Sequence, residues 1–246
     1  MTEPDFLATT RAFYDTIAAD YADRFSRAMD TRPTDRAVLA LFADLVRAER
    51  PDPRTAELGC GPGYVTSHLH GLGLDVRGID LSPRMVELAR AAYPEVPFEV
   101  GSLFELPFRD GELTGAVAWY SIIHTPGERL PEVFAEFARV LAPGGRLLLA
   151  FQVGEEPLRL ERPFGHPVSL DFRRLRPERV EELVRGAGLV MTSRTVREPD
   201  GEESTPQAYL LARKPAAARP PAVRRRPGRA VLGGLGRGRL RGPGRL

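Results

Sequence analysis

Of 246 residues only one is cysteine, Cys60, so no internal disulfide can form; a reducing cytoplasm fits that usage. Lys214 is the only lysine among 35 basic residues. No apolar run approaches the ~18 residues that a membrane span requires. The start, Met1-Thr2-Glu3-Pro4-Asp5, is acidic and is not a cationic leader with an apolar stretch behind it. No internal repeat is evident, and no metal site is assigned. Residues 215–246 contain neither an acid nor an aromatic ring. That stretch therefore has nothing on which nucleic-acid bases would stack.

The net charge of +2 averages two unlike regions. Nine arginines lie in 215–246, which leaves 26 basic residues (35 less 9) against 33 acidic ones in residues 1–214, a balance of −7. The folded part is thus acidic and repels polyanions. With twelve glycines and prolines among its 32 residues, the 215–246 segment reads as a disordered tail without a core. Two readings stand for it: a dispensable extension, which is favoured, or an arginine-rich arm for nucleic acid or an anionic surface.

An apolar fraction of 42% supports a proper core in the remainder. Residues 5–28 place Phe6, Phe13, Ile17, Tyr21 and Phe25 at helical spacing, and a second helix is expected over 34–48, stopped by Pro51 and Pro53. Strands expected at 54–58, 74–79, 97–100, 113–119 and 145–152 then alternate with helices at 64–71, 83–92 and 128–141. Such alternation predicts a doubly wound, mostly parallel sheet with helices on both faces. Residues 153–175 have no clear period. A helix from Pro177 to Ala187 and strands at 189–197 and 206–213 come next. The last two are expected to pair as a hairpin, which makes one strand of the seven antiparallel. The organisation is an N-terminal helical cap (1–50), a main domain (51–214) with an insertion at 153–175, and the tail.

The most informative stretch is Glu57-Leu58-Gly59-Cys60-Gly61-Pro62-Gly63, a strand end that runs into three glycines. Bare backbone there lets a bulky cofactor lie close. Seventeen residues past Gly63, the next strand ends in Asp80, placed to accept hydrogen bonds from a ribose. Dinucleotide loops space their glycines G-x-G-x-x-G; here the third comes one residue early. That spacing disfavours a nicotinamide-dependent oxidoreductase. The kinase-type Gly-Lys-Ser/Thr ending is replaced by Tyr64-Val65-Thr66.

At these residues the chain resembles class I S-adenosylmethionine-dependent methyltransferases of the small-molecule "methyltransferase 11/25" type, over most of 10–213. Glu57–Gly63 resembles that family's first motif and Gly78-Ile79-Asp80-Leu81-Ser82, followed by Met85, its second. Glu99–Leu103 resembles its adenine segment, and Leu141–Leu147 the turn into its fifth strand. The resemblance implies a Rossmann-like fold with an N-terminal helical lid and S-adenosylmethionine as cofactor. It implies that Gly59, Cys60, Gly61 and Gly63 form the cofactor loop, that Glu57 organises the ammonium group and that Asp80, next to Leu81, binds the ribose. Met85 would pack on adenine, and the Leu103 N–H would meet an adenine nitrogen. Ser102 departs from the aspartate frequent there, and its uncharged hydroxyl implies weaker adenine recognition.

Beyond the fourth strand, Trp119 and Tyr120 stand where ligands of parallel sheets bind, and core packing is an equal reading for Trp119. His124 reads either as a general base toward the acceptor or as a cap or passive contact. Tyr14 and Tyr21 are seven apart on one helical face; a lid reaching the cofactor carboxylate and a packed aromatic stripe both fit. Phe164, His166, Phe172 and Arg173 are candidate acceptor contacts in the 153–175 cover. The expected activity is methyl transfer to a small-molecule acceptor. A cofactor-binding module without turnover and an RNA-modifying protein are the competing classes. The acidic fold and the lack of an Asn/Asp-Pro-Pro-aromatic segment after the fourth strand argue against the second.

Overall fold

The computed structural model describes residues 5–50, 53–201 and 203–216, with the Ala28 side chain excepted. The expected tail lies outside the described residues from 217 onward. Three helices open the chain: α1 (Asp5–Phe25), the short α2 (Ala28–Thr31) and α3 (Pro33–Glu49). The alternating part runs β1 (Arg54–Leu58), α4 (Tyr64–Gly71), β2 (Asp75–Asp80), α5 (Pro83–Ala92), β3 (Phe98–Val100), β4 (Leu113–Trp119), α6 (Leu130–Val140) and β5 (Leu141–Gln152). A hairpin of β6 (Leu158–Glu161) and β7 (Ser169–Phe172) precedes α7 (Pro177–Gly186), β8 (Val190–Arg197) and β9 (Gln207–Arg213).

Seven strands form one sheet in the order β3-β2-β1-β4-β5-β9-β8. β9 alone runs against its neighbours, antiparallel to both β5 and β8. Every residue of β4 is buried, as expected of a central strand covered on both faces. One core lies between the sheet and α6 and α7, built on Phe134, Phe137, Leu147, Leu149 and Val180. The other lies beneath α3 and α4 around Leu39, Phe42, Val46 and Leu69. No helix among the described residues is long and apolar enough to cross a membrane.

The chain reverses direction across the sheet between β1 and β4, and that switch opens a crevice beyond their carboxyl ends. Helix α1 lies over this crevice. It is tied to α5 by Asp15, which accepts from Ser82 Oγ at 2.5 Å and from the Arg84 N–H at 3.2 Å. A small separate cluster of Phe13, Ile17 and Leu170, with Tyr14, Tyr21, Val168 and Phe172 around it, joins α1 to the β6–β7 hairpin. The hairpin replaces the irregular stretch expected at 153–175. Its β6 strand alternates half-buried leucines with exposed Arg159 and Glu161 over only four residues.

Candidate active site

The glycine turn after β1 is fixed by its own backbone. The Gly59 and Cys60 N–H groups donate to the Ile79 carbonyl of β2 at 2.7 and 3.0 Å. Gly59 sits at φ +83°, and a Cβ there would fall 2.3 Å from the Ser121 Cβ, so only glycine fits. A Cβ at Gly61 would meet nothing within 4 Å, so this backbone faces open space. Gly63 has a different position. It starts α4 at φ +89° and its missing Cβ makes room for the Phe98 ring, 2.7 Å from where that atom would lie. It therefore shapes the turn from behind and is not in the wall of the cavity.

That cavity encloses about 880 Å³, counting the space open to solvent at its mouth. Its wall brings together thirteen of the residues expected at the site: Glu57, Gly59, Cys60 and Gly61 from the turn, Asp80, Leu81 and Met85 from the end of β2 and the start of α5, Ser102 and Leu103 after β3, Trp119 and His124 after β4, and Tyr14 and Tyr21 from α1. Phe6, Leu7 and Thr10 of α1, with Tyr64, Phe104 and Ser121, also line it, and no motif in the sequence points to them. Phe6 reaches Phe104 edge-on, with centroids 5.7 Å apart, a contact between distant segments that no local pattern announces. Tyr64 is more accessible to sequence reasoning, since it is an aromatic placed directly after the last glycine of the turn.

Two acids face this space. Asp80 accepts from the Gly61 N–H at 2.7 Å and the Ser82 N–H at 2.9 Å, so its carboxylate is aimed along the glycine turn. Burial nevertheless lifts its pKa to about 6. Glu57, 2% exposed, accepts from the Thr66 hydroxyl, and burial lifts it to about 8. Burial also raises the Cys60 thiol well above its ordinary value, which makes Cys60 a packing residue and not a ready nucleophile. Ser102 Oγ accepts from the Phe104 N–H at 3.2 Å, so it also holds the turn after β3.

Tyr14 Oη and His124 Nε2, also in the wall, are 2.7 Å apart. His124 Nδ1 lies 3.4 Å from the Asp171 carbonyl of β7. A proton on Nδ1 directed at that carbonyl leaves Nε2 to accept from Tyr14. Burial lowers the His124 pKa to about 4, so the imidazole is neutral at neutral pH. Tyr120, directly after β4, takes a left-handed φ of +54°. Strain of this kind collects at functional sites. Its hydroxyl donates to Gln207 at 2.9 Å. Trp119 packs on Tyr209 at 5.6 Å and also borders the cavity, so both of its readings hold.

The cover residues lie mostly behind this wall. Phe172 packs on His124 with centroids 4.7 Å apart, and Arg173 donates from its backbone to the Ile123 carbonyl. His166 meets Asp20 of α1 at 2.7 Å, and Phe164 is exposed.

The doubly wound sheet with one reversed strand, and a glycine turn facing an acid at the next strand's tip, define a Rossmann-like fold. Residues 56–145 match a family model described as a methyltransferase domain. The chain is 36% identical over 121 residues to an uncharacterized methyltransferase of Mycobacterium tuberculosis, covering 48% of this chain and 47% of that one. It is 36% identical over 108 residues to an O-methyltransferase of Penicillium expansum, covering 41% and 38%. The chain spans about half the length of the curated relatives it matches. Among solved structures, the fold is similar to the Burkholderia thailandensis 1,6-didemethyltoxoflavin-N1-methyltransferase, with TM-score 0.63 and 20% identity over 87% of this chain and 92% of that one. It is similar also to the magnesium protoporphyrin IX methyltransferase of Synechocystis PCC 6803, with TM-score 0.63 and 16% identity over 87% and 99%.

Proposed function

We propose that this protein is an enzyme that transfers the methyl group of S-adenosylmethionine to a small-molecule acceptor. The observation that carries the reading is Asp80, held by the Gly61 and Ser82 N–H groups at the rim of a glycine-floored cavity. The residues present fit that cofactor. Gly61 leaves open space for its chain, Asp80 stands for the ribose hydroxyls, and the buried Met85 with Leu81, Ser102 and Leu103 borders an adenine slot. Glu57 is placed for an ammonium group, and Tyr14 and Tyr21 close the roof.

The sulfonium supplies an activated methyl group, so the protein's task is chiefly to position the acceptor in line with it. Orientation of this kind is worth up to ~7–11 kcal/mol of barrier. Tyr14 and His124 form the polar pair at the acceptor end. His124 keeps its lone pair at neutral pH and accepts from Tyr14, so the Tyr14 hydroxyl orients an acceptor hydroxyl or amine and His124 receives the proton through it.

A nicotinamide-dependent oxidoreductase and a non-catalytic cofactor-binding module make different predictions. Calorimetry with S-adenosylmethionine and with NAD, on the protein and on Asp80→Ala, tests the first of these. We expect S-adenosylmethionine to bind, NAD not to bind, and Asp80→Ala to lose about 10–100-fold in affinity, equivalent to the ~1.5–3 kcal/mol of a hydrogen bond to a charged group. Binding of NAD in preference would overturn the reading. Cofactor binding without release of S-adenosylhomocysteine across a broad acceptor panel would instead mark a non-catalytic module.

A further inference from the structure

We propose, on the methyl-transfer reading above, that the acceptor is an uncharged aromatic hydroxyl compound and that the site rejects acceptors bearing a carboxylate or phosphate. Three features of the cavity lead there.

The first is charge. Among the described residues that line the cavity are two carboxylates, Glu57 and Asp80, and no arginine or lysine. The guanidinium groups just outside are engaged elsewhere. Arg129 is paired with Glu132 and lies over the Phe104 ring at 4.9 Å, while Arg173 Nε donates to the Thr125 carbonyl at 3.1 Å. An anionic acceptor would leave water for a wall without an arginine or lysine, where only the cofactor's own sulfonium would offset its desolvation.

The second is shape and polarity. Tyr14, Trp119, Tyr120 and His124 together form an aromatic part of the cavity wall. Trp119 and Tyr120 meet edge-to-face with centroids 5.8 Å apart, and Tyr14 and His124 with centroids 5.3 Å apart. Aromatic walls of this kind favour a planar aromatic acceptor, which they can meet by stacked or edge-to-face contact.

The third is the proton path. Tyr14 and His124 are already hydrogen-bonded, and His124 Nδ1 faces the Asp171 carbonyl. An acceptor hydroxyl that donates to Tyr14 Oη extends this chain by one link. As the acceptor oxygen bonds to the methyl carbon, the carbon–sulfur bond breaks and its electron pair stays on sulfur. The acceptor's proton passes to Tyr14 as the Tyr14 proton passes to His124 Nε2. The products are a methyl ether, S-adenosylhomocysteine and a proton on the imidazole, which is given up to solvent when the roof opens. An aliphatic hydroxyl gains no contact with the aromatic wall, and an ionised carboxylate has no proton to donate to Tyr14.

The test uses the full chain and acceptors matched in skeleton: methyl 4-hydroxybenzoate against 4-hydroxybenzoate, 3,4-dihydroxybenzaldehyde against 3,4-dihydroxybenzoate, and the corresponding anilines. S-adenosylhomocysteine release is the readout. We expect each neutral phenol to exceed its acid partner by at least tenfold in kcat/KM and to exceed its aniline. Tyr14→Phe should lower kcat at least tenfold with the acceptor KM little changed. Equal or faster turnover of the acids or anilines overturns the proposal. So does retention of full kcat in Tyr14→Phe, or cofactor binding with no turnover of any neutral phenol. Calorimetry with S-adenosylmethionine in the same samples keeps the two claims apart, because absence of cofactor binding counts against the methyl-transfer reading itself.

Discussion

Carboxyl groups that burial has lifted toward neutrality make cofactor binding a proton-linked event. In the free protein Glu57 titrates near pH 8 and Asp80 near pH 6, against ordinary values of 4.5 and 3.8. The folded state therefore holds protons that the unfolded chain has already lost. Their contribution to stability is full below about pH 4 and is lost as pH rises through 6 and then 8. A cation in the cavity favours both ionised forms. Affinity for S-adenosylmethionine should thus rise between pH 6 and pH 8 with release of protons, which calorimetry in buffers of different ionisation heat measures directly. An affinity flat across that range, with no proton release, contradicts the placement of these acids around the cofactor. Glu57→Gln should bind more weakly, yet lose less melting temperature between pH 6 and pH 8 than the parent. His124 acts in the opposite sense. Its pKa is depressed to about 4, so stability falls as pH drops from 6.5 toward 4, where the unfolded imidazole is protonated and the folded one is not.

At the scale of elements, α1 lies over the cavity, and side-chain contacts to three other segments hold it. Asp15 joins it to Ser82 and the Arg84 N–H, Asp20 to His166, and Tyr14 to His124. Asp15→Ala removes two accepted hydrogen bonds, at about 1–2 kcal/mol together after screening at a half-buried site. We expect a melting temperature lower by a few degrees and a cofactor KM several-fold higher with kcat nearly preserved, measured by thermal melts and steady-state kinetics. Gly59→Ala is harsher. It forces a side chain into left-handed backbone and onto Ser121, so cofactor binding should vanish even where a folded protein survives. The strands and helices of the sheet are legible in the sequence because glycine and proline punctuate continuous apolar runs, as at Ser82-Pro83 before α5. β5 starts at Leu141 instead of 145 because Leu141 already pairs with Leu113 across the Pro143-Gly144-Gly145 turn. The β6–β7 hairpin is harder to read because each strand is only four residues long and Pro157, Pro163 and Pro167 interrupt the segment. Within the cavity, the glycine turn and Asp80 are readable from their places at the ends of β1 and β2. Phe6, Thr10 and Phe104 are not, since only tertiary packing brings them there.

The whole molecule carries its charge unevenly, and this bears on its partners. Nine arginines after residue 216 turn a net −7 into +2. Arginines without interleaved aromatic rings attract phosphates through counterion release alone, a weak and steeply salt-dependent attraction. The acidic domain gives polyanions no surface to track toward the cavity, whose own wall is acidic. A chain lacking 217–246 should therefore bind S-adenosylmethionine within about twofold of the full chain and turn over neutral phenols at the same kcat/KM. The full chain should retain single-stranded RNA only at low salt, and neither form should methylate it. Transfer of a labelled methyl group to RNA by the full chain, abolished by the truncation, would reassign the tail as a substrate-binding arm and the acceptor class with it. The salt slope of RNA binding decides between incidental and specific contact: a loss of affinity that tracks all nine charges, with no preference among sequences, belongs to the arginines and not to the fold.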